Sequence, residues 1–273
     1  MKVFLHPTKK IIIIGSGPIR IGQGIEFDYC SVHGAKTIRE LGYEAIIINN
    51  NPETVSTDYM TADRLYFEPL ALEDVVAIVN HEHVEGVVVT LGGQTGIKLT
   101  KELEQAGIHV FGVSSACVDE LEERDAFYTL LSTIGVEPIP GVAVSSIEEA
   151  FDYCDEATFP ILVRPSFVIG GQGMAILQTK EQVEDYLKDH PYKGLFPLLM
   201  DTYVQGVEID VDVLTDGEEI YVAGMFEHVE QAGVHSGDSL AITPPYRVSN
   251  AIQNRLEIIA KKTSRCDGLQ GHF

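Results

Sequence analysis

Four consecutive isoleucines, Ile11–Ile14, followed at once by Gly-Ser-Gly-Pro, constrain the fold of this 273-residue chain more than any other feature. A β-branched run without a polar interruption is typical of a strand buried on both faces, and such strands occur in parallel sheets covered by helices. Further apolar runs at residues 43–48 and 86–91 alternate with helical segments. This alternation predicts right-handed βαβ units and an open parallel sheet.

Within this first region we predict strands at residues 11–14, 43–48, 64–67, 86–91 and 109–113, and helices at 26–41, 72–80 and 97–105. Gly42 is placed to end the first helix. The loops Gly15–Gly24, Asn49–Pro52 and Gly92–Thr95 follow strands, so we expect them to gather at the carboxyl edge of the sheet, where open α/β sheets bind ligands. The alternative is that their glycines only turn corners.

The first loop is not a dinucleotide fingerprint, because Arg20 stands where the third glycine of that motif would be. It is not a Walker loop either, because the sequence has no Gly-Lys-Ser/Thr. The sequence therefore predicts a Rossmann-type sheet without a dinucleotide signature.

A second region runs from about residue 115 and centres on Phe159–Met174. In this stretch an apolar run ends in Arg164, and Gly170, Gly171 and Gly173 follow. A glycine-rich loop has exposed N–H groups and little side-chain bulk, and an arginine supplies a forked cation, so the stretch is typical of a hairpin that closes over phosphates. An ordinary hairpin with a loose turn is the alternative.

The elements around this hairpin indicate a small α+β module. We predict one helix over residues 115–134, a strand at 142–144, and two further helices that open with capping boxes at Ser146–Glu149 and Thr179–Gln182. A third region is predicted to begin with residues 198–204. In it, Glu208–Val213 alternates acidic and aliphatic residues, a turn follows at Asp216-Gly217, a return strand covers 220–225, and a helix covers 255–262.

Composition narrows the function classes. The formal net charge is −22 and the pI about 4.6, which disfavours nucleic acid and anionic membranes as partners. The four cysteines form no C-x-x-C pair, so neither a zinc site nor a disulfide framework is indicated. With no signal-like or membrane-spanning run, we expect a cytoplasmic protein.

Several long motifs carry a resemblance to a known family. They are Gly15–Tyr29, Asn49–Asp58, Gly92–Thr95, Arg164–Ser166 with Gly170-Gly171, and Glu227–Ser239. Together they resemble the second synthetase half of the carbamoyl phosphate synthetase large subunit. Residues 232–237, Ala-Gly-Val-His-Ser-Gly, assign the half, because the first half of such enzymes usually reads Met-Gly-Ile-His-Thr-Gly.

The resemblance implies an α/β fold in which a Rossmann-like pre-ATP-grasp parallel sheet domain is followed by an ATP-grasp fold. We expect a lead-in at residues 1–10, the pre-ATP-grasp domain at 11–114, linker helices and a small α+β lid at 115–195, and an incomplete nucleotide-binding sheet at 196–273. The implied reaction is phosphorylation of carbamate by ATP, which gives carbamoyl phosphate for arginine and pyrimidine biosynthesis. Positioning and charge neutralisation catalyse such a transfer, with no covalent nucleophile.

The resemblance also implies site residues. Arg164 stands at the family's phosphate-contacting arginine and Arg124 at its upstream partner. Gly170 and Gly171 form the loop over the phosphates. Thr202 and Val204 stand at the adenine contacts, and Glu208 at the carboxylate that binds the ribose hydroxyls. Residues on the nucleotide's other side are Gly233, Val234, His235 and Ser236. Arg164 and His235 are the implied catalytic contacts.

Magnesium would accompany ATP, but this sequence does not show the family's Glu-x-Asn-Pro metal motif. Its one Asn-Pro is Asn51-Pro52, and Gln270 lies near the expected glutamine without a clean match. We therefore assign no metal ligand and expect a truncated half with little activity alone. The implied partners are the first synthetase half and a glutaminase small subunit. The alternatives are another ATP-grasp carboxylase or ligase, and a non-catalytic ATP-binding or docking module.

Overall fold

The computed structural model describes residues 9–20, 23–165, 173–190, 195–216, 218–232 and 239–264, without the side chains of Arg124 and Asp125. The chain divides into two compact units. The first is centred on residues 9–127, and the second on residues 128–214 and 221–263.

The first unit is built on a five-stranded sheet in which every neighbouring pair is parallel. Its strands are β1 (Lys10–Ile14), β2 (Glu44–Ile48), β3 (Arg64–Tyr66), β4 (Gly86–Val88) and β5 (Val110–Phe111), in the order β3-β2-β1-β4-β5. Its helices are α1 (Ile25–Glu40), α2 (Leu72–Glu82), α3 (Gly93–Ile97), α4 (Thr100–Gln105) and α5 (Ser115–Glu122). The predicted parallel sheet is confirmed.

Apolar side chains cover both faces of this sheet, which explains the uninterrupted isoleucine run. Ile12 and Ile14 pack into a core with Val75 of α2 and Leu103 of α4. The alternate residues Ile11 and Ile13 pack with Ala35 and Ile38 of α1 on the opposite face. A strand with helices on both sides has no solvent-facing position for a polar residue.

The predicted stop at Gly42 is also confirmed. Gly42 has a φ of +86°, a left-handed conformation that favours glycine. Its N–H donates to the carbonyl of Arg39 at 3.0 Å, and the N–H of Tyr43 donates to Ile38 at 3.1 Å. These bonds satisfy carbonyls that the last turn of α1 leaves open.

The structure divides one predicted helix and shortens another. The helix predicted over 115–134 is α5 followed by α6 (Arg124–Thr133). The break falls at Glu123, which is extended, and whose carboxylate accepts the N–H of Ala126 at 2.7 Å. The helix predicted over 97–105 is α4, which begins at Thr100, and the Thr100 hydroxyl donates to the carbonyl of Ile97 at 2.7 Å. The short helix α3 (Gly93–Ile97) lies largely where a loop is predicted at Gly92–Thr95. Local side-chain bonds to the backbone thus override the apolar periodicity.

The second unit contains a four-stranded antiparallel sheet in the order β6-β9-β7-β8. Its strands are β6 (Gly141–Val144), β7 (Ile161–Pro165), β8 (Ala175–Leu177) and β9 (Leu198–Thr202), with helices α7 (Ile147–Glu156) and α8 (Lys180–Asp189). Ile161, Val163, Leu198 and Met200 point to a core with both helices. The sequence places residues 198–204 at the start of the third region, and this prediction is wrong, because β9 pairs with both β6 and β7.

Both capping boxes are present. The Ser146 hydroxyl accepts the N–H of Glu149 at 3.2 Å, and that of Thr179 accepts the N–H of Gln182 at 3.4 Å. The Glu149 and Gln182 side chains reach back to the N–H groups of Ser145 and Gln178, each at 2.7 Å. These bonds satisfy open donors at the helix starts.

A second sheet of this unit has the order β10-β11-β12. Its strands are β10 (Ile209–Thr215), β11 (Ile220–His228) and β12 (Ala241–Ile242), and α9 (Asn250–Thr263) follows. Along β10 the exposed Asp210 and Asp212 alternate with half-buried Ile209 and Val211, as the sequence predicts. Asp216 lies in the predicted turn, where its carboxylate accepts the N–H of Glu219 at 2.7 Å. Gly217 lies outside the described residues.

Candidate functional site: one face of the four-stranded sheet

The antiparallel register sorts the residues of β7 and β9 onto two faces. Arg164 pairs with Leu199, and Leu162 pairs with Asp201. Because paired residues point to the same side and side chains alternate along a strand, these four share the face opposite the core. We call this the outer face. It places a cation and a carboxylate diagonally across two strands, among aliphatic side chains.

Arg164 and Asp201 form an ion pair in which a terminal guanidinium nitrogen, Nη2, donates to Asp201 Oδ2. Only 6% of the Asp201 side chain is exposed, whereas 42% of the Arg164 side chain remains accessible. The Nε atom of Arg164 is buried and has no hydrogen-bond partner among the described residues. The guanidinium is therefore tethered at one nitrogen and partly open to a ligand.

Backbone hydrogen bonds fix the end of β9 and the segment that follows it, residues 202–208. The N–H of Thr202 donates to Pro140 and the N–H of Tyr203 to Pro160, both at 2.9 Å. Val204 is 51% exposed at this point. At the far end of the segment the carbonyl of Glu208 accepts the N–H of His228 at 3.0 Å. Residues 203–208 therefore connect the two sheets of the second unit and present Val204 outward.

Two further contacts fix the chain on either side of residues 233–238. The Tyr203 hydroxyl donates to the carbonyl of Ala232 at 3.0 Å. The Glu230 carboxylate accepts the Ser239 hydroxyl at 2.6 Å and the N–H of Leu240 at 2.8 Å. The bond from Ser239, with that from Leu240, holds the pKa of Glu230 below its usual value. The backbone at residue 232 is thus attached to the edge that carries Val204.

Two buried ionisable residues, Glu227 and His228, lie at the end of β11. Glu227 is fully buried and accepts the N–H groups of Tyr246 and Arg247 at 2.9 Å, together with the Arg247 side chain. Burial alone would raise the pKa of Glu227, but the bonds from Arg247 and Tyr246 outweigh it and lower that pKa. His228 Nε2 donates to Asp210 Oδ2 at 2.8 Å, and this bond raises the pKa of His228.

The structure places the predicted site residues as follows. Arg164, Thr202, Val204 and Glu208 all lie in the second unit, on β7 or on the stretch of chain from the end of β9 to Glu208. Arg124 is the first residue of α6, and its side chain is outside the described part. Also outside it are Gly170, Gly171, Gly233, Val234, His235 and Ser236. Their assigned roles remain predictions.

In the first unit, the predicted strand-end loops do gather at one edge. The buried Gln23 amide donates to the carbonyls of Ser16 (2.6 Å) and Gly92 (3.3 Å) and to the Thr95 hydroxyl (2.5 Å). The N–H of Gly17 donates to Asn49 Oδ1 at 3.1 Å. A Cβ at Gly92 would lie 2.5 Å from the carbonyl oxygen of Ile14. The loops therefore pack against one another, and Gln23 fills the space between them.

Sequence reasoning missed Asp201, and it included Glu227 in a motif without assigning it a role. The signal for both was a single acid at the end of an apolar strand, in Leu-Leu-Met-Asp and in Gly-Met-Phe-Glu. An acid at such a position is buried with a partner, and the partner lies on another segment. Periodicity along one strand does not identify that segment.

Metal-ligating side chains do not cluster within the described ranges, which contain no group of three or more His, Cys, Asp or Glu that could hold an ion. Across the same residues, each helix is too short or too polar to cross a membrane. Among the residues that the structure describes, no side chain is therefore assigned as a magnesium ligand.

Two family models match consecutive parts of the chain. Residues 7–120 match the carbamoyl phosphate synthase preATP-grasp domain, and residues 123–272 match the carbamoyl-phosphate synthase L chain, ATP binding domain. The chain belongs to the carbamoyl phosphate synthase large-chain family. The resemblance drawn from the motifs is thereby confirmed at the level of the family.

Curated relatives agree. The chain is 57% identical over 237 residues to the arginine-specific carbamoyl phosphate synthase large chain of Halalkalibacterium halodurans, covering 87% of this chain and 23% of that protein. It is 47% identical over 273 residues to a carbamoyl phosphate synthase large chain of Thermus thermophilus, covering 99% of this chain and 27% of that protein. The chain thus spans about a quarter of the length of these relatives.

Solved structures confirm the ATP-grasp fold. The biotin carboxylase domain of Hydrogenobacter thermophilus 2-oxoglutarate carboxylase, solved with MgADP and bicarbonate, has a TM-score of 0.74 at 19% identity, covering 98% of this chain and 60% of that one. Campylobacter jejuni biotin carboxylase, solved as a β,γ-ATP complex, has a TM-score of 0.73 at 18% identity, covering 96% and 60%. At these identities the likeness concerns the fold alone.

Proposed function

We propose that this chain is the carbamate-phosphorylating half of a carbamoyl phosphate synthase and that its second unit binds ATP. The observation that carries the proposal is the placement of Arg164 on one strand of the four-stranded sheet and of Val204 just after the end of the neighbouring strand. Arg164 lies on the outer face of β7, and Val204 is exposed where the neighbouring strand β9 ends. A cation and an apolar contact on adjacent strands match the two ends of a nucleotide.

Each side chain has a distinct part in this proposal. The partly exposed guanidinium of Arg164 binds phosphate oxygens and stabilises negative charge during transfer. Val204 packs on the adenine ring, and the backbone at Thr202 and Val204 hydrogen-bonds its polar edge. The Glu208 carboxylate accepts the ribose hydroxyls. The backbone bond from His228 to Glu208 fixes the position from which that carboxylate extends.

The proposed phosphoryl acceptor is carbamate. Support for carbamate comes from residues 232–237, Ala-Gly-Val-His-Ser-Gly, which resemble the second rather than the first synthetase half. His235 in this run is the proposed second catalytic contact, together with Gly233, Val234 and Ser236 around the nucleotide.

When bound, magnesium would neutralise charge on the phosphates, and we assign none of its ligands to the residues that the structure describes. Residues of this chain contribute by binding the nucleotide and holding its γ-phosphate in a fixed position, which is the main source of catalysis in phosphoryl transfer. Further proposals are the domain boundary at residue 114, a cytoplasmic location, and partnership with a first synthetase half and a glutaminase small subunit.

The test is calorimetric titration with MgATP. We expect saturable binding to the wild type and a loss of about 10-fold or more in affinity for Arg164→Met, because a charge-assisted phosphate contact is removed. Asp155→Asn is the matched control, since it breaks an exposed ion pair with Lys180 in the same unit. Absence of binding at millimolar MgATP would contradict the proposal.

The acceptor is tested separately by thermal unfolding of the ADP complex. Carbamoyl phosphate should raise the unfolding temperature beyond that with ADP alone, because any ligand that binds only the folded state stabilises it. Acetyl phosphate is the matched control. Equal stabilisation by the two acyl phosphates, or none by either, would contradict the assignment to carbamate.

A further inference from the structure

The outer face contains one carboxylate for which the family motifs assigned no role, that of Asp201. Its pairing partner on β7 is Leu162 and its partner on β6 is Gly141. Glycine carries no side chain that could crowd the carboxylate, and the neighbour on the other strand is aliphatic. Arg164 lies diagonally across from it, two residues along β7 from Leu162.

Burial of the pair is uneven. The Asp201 side chain is 6% exposed and that of Arg164 is 42% exposed. A buried carboxylate is costly unless a cation or hydrogen-bond donors compensate it, so its position is well defined. A long arginine side chain has many rotamers, and a fixed carboxylate beside it restricts them. The buried partner thus determines where the exposed one points.

We propose that Asp201 is a positioning residue, which holds the Arg164 guanidinium in the orientation that contacts the nucleotide's phosphates. The inference rests on the proposed function. Asp201 binds the terminal Nη2 atom of the guanidinium, which leaves the exposed remainder for phosphate oxygens. A guanidinium that is already bonded to Asp201 through one nitrogen loses less rotational freedom when it binds an anion.

Asp201 does not touch the nucleotide in this arrangement, and its effect passes through Arg164. Its removal should therefore weaken binding only for ligands that carry phosphates. A structural defect in the sheet would instead weaken adenine and phosphate contacts together, since Thr202 and Val204 directly follow Asp201 in the chain. Comparing ATP with adenosine separates the two roles.

The experiment is calorimetric titration of the full 273-residue chain with MgATP and with adenosine. For Asp201→Asn we expect about 10-fold weaker ATP binding, in line with the loss of a charge-assisted hydrogen bond, and unchanged adenosine binding. Asp201→Glu keeps the charge and should recover part of the ATP affinity. The Asp155→Asn control should bind both ligands as the wild type does.

A double-mutant cycle keeps the inference testable if Asp201→Asn folds poorly. In an Arg164→Met background, Asp201→Asn should cause no additional loss of ATP affinity, because the group it orients is already absent. Arg164→Met leaves Asp201 buried without this cation, so the double variant should also unfold at a higher temperature than Arg164→Met alone.

The outcomes separate the two proposals. A wild-type chain that does not bind MgATP removes the proposed function, and the inference with it. ATP binding that Asp201→Asn leaves unchanged overturns the inference alone. So does an equal loss of ATP and adenosine affinity, or an additive loss in the Arg164→Met background.

Discussion

Lys10, the first residue of β1, donates a 2.7 Å hydrogen bond to the carboxylate of Glu82 at the end of α2. Arg64 and Tyr66 of β3 donate to the same carboxylate, whose side chain is only 1% exposed. Side chains of β1 and β3 thus bond to the same buried carboxylate at the end of α2. This group lies at the opposite end of β1 from the strand-end loops.

Replacement of Glu82 by glutamine should destabilise the first unit by about 3 kcal/mol, because the charge-assisted hydrogen bonds from Lys10 and Arg64 to a buried carboxylate are lost. Urea unfolding at pH 7 measures the change. Glu85→Gln is the control, since its ion pair with Lys9 is exposed at both partners and should contribute less than about 1 kcal/mol. Equal effects of the two substitutions would contradict this prediction.

The contribution of Glu82 should also depend on pH. Burial alone would raise the pKa of Glu82, but the hydrogen bonds from Lys10, Tyr66 and Arg64 lower it from 4.5 to about 2. A carboxyl group with a lowered folded-state pKa stabilises above its unfolded pKa and loses that stabilisation as pH falls toward the folded value. The stability difference between wild type and Glu82→Gln should therefore be constant from pH 8 to 5 and decrease below about pH 4.5. A difference that is as large at pH 3 as at pH 7 would show that Glu82 acts through packing.

Gln23→Ala should destabilise the first unit by about 2–4 kcal/mol, because the buried carbonyl of Ser16 loses its donor and a cavity is left between the loops. Gln94→Ala provides the comparison, since Gln94 is exposed and its amide bonds, within the described part of the chain, only to the exposed Glu122 at 3.3 Å. Chemical denaturation of both variants distinguishes a structural connector from an ordinary surface amide. Equal stability of the two would show that the loops do not depend on Gln23.

The His228 ring should titrate above its ordinary pKa of 6.5, because Asp210 stabilises the charged form. Glu208 and Glu230 also raise this pKa, and burial opposes them. The resulting stabilisation is present below about pH 6.5 and is lost as pH rises through the folded-state value.

NMR titration of the ring protons measures this pKa directly. Asp210→Asn should lower it, whereas Asp212→Asn, on the same exposed side of β10, should leave it unchanged. An equal fall in both variants would indicate a general field effect of the acidic strand rather than a specific hydrogen bond.

Val204→Asp should weaken ATP and adenosine binding by about 10-fold or more, since a carboxylate replaces an apolar surface against the adenine ring. The thermal stability should not change, because the side chain is 51% exposed. Val207→Asp is matched in exposure, at 45%, and has no assigned contact. Equal weakening by both substitutions would place the adenine elsewhere.

Local signals in the sequence predicted much of the fold. The capping boxes at Ser146 and Thr179, the stop at Gly42 and the alternation along β10 depend on residues within four positions of one another. Predictions from such patterns fail where a nearby side chain forms a hydrogen bond with a backbone group that a continuous helix would use. Glu123 divides a helix that apolar periodicity predicts as continuous, and Thr100 begins a helix that the sequence predicts from residue 97.

By itself, the sequence determined the parallel sheet, the family and the choice of Arg164 as a candidate phosphate-binding residue. Strand patterns and family motifs depend only on residues that are close together in the sequence, so they can be recognised without the structure. Only the tertiary structure decided that β9 lies between β6 and β7, and that this register brings Asp201 to Arg164 across 37 residues of chain. The same is true of Glu82 with Lys10, which are 72 residues apart. A buried charge is stable only beside its partner, and strand register, which no local pattern encodes, decides which distant residue that partner is.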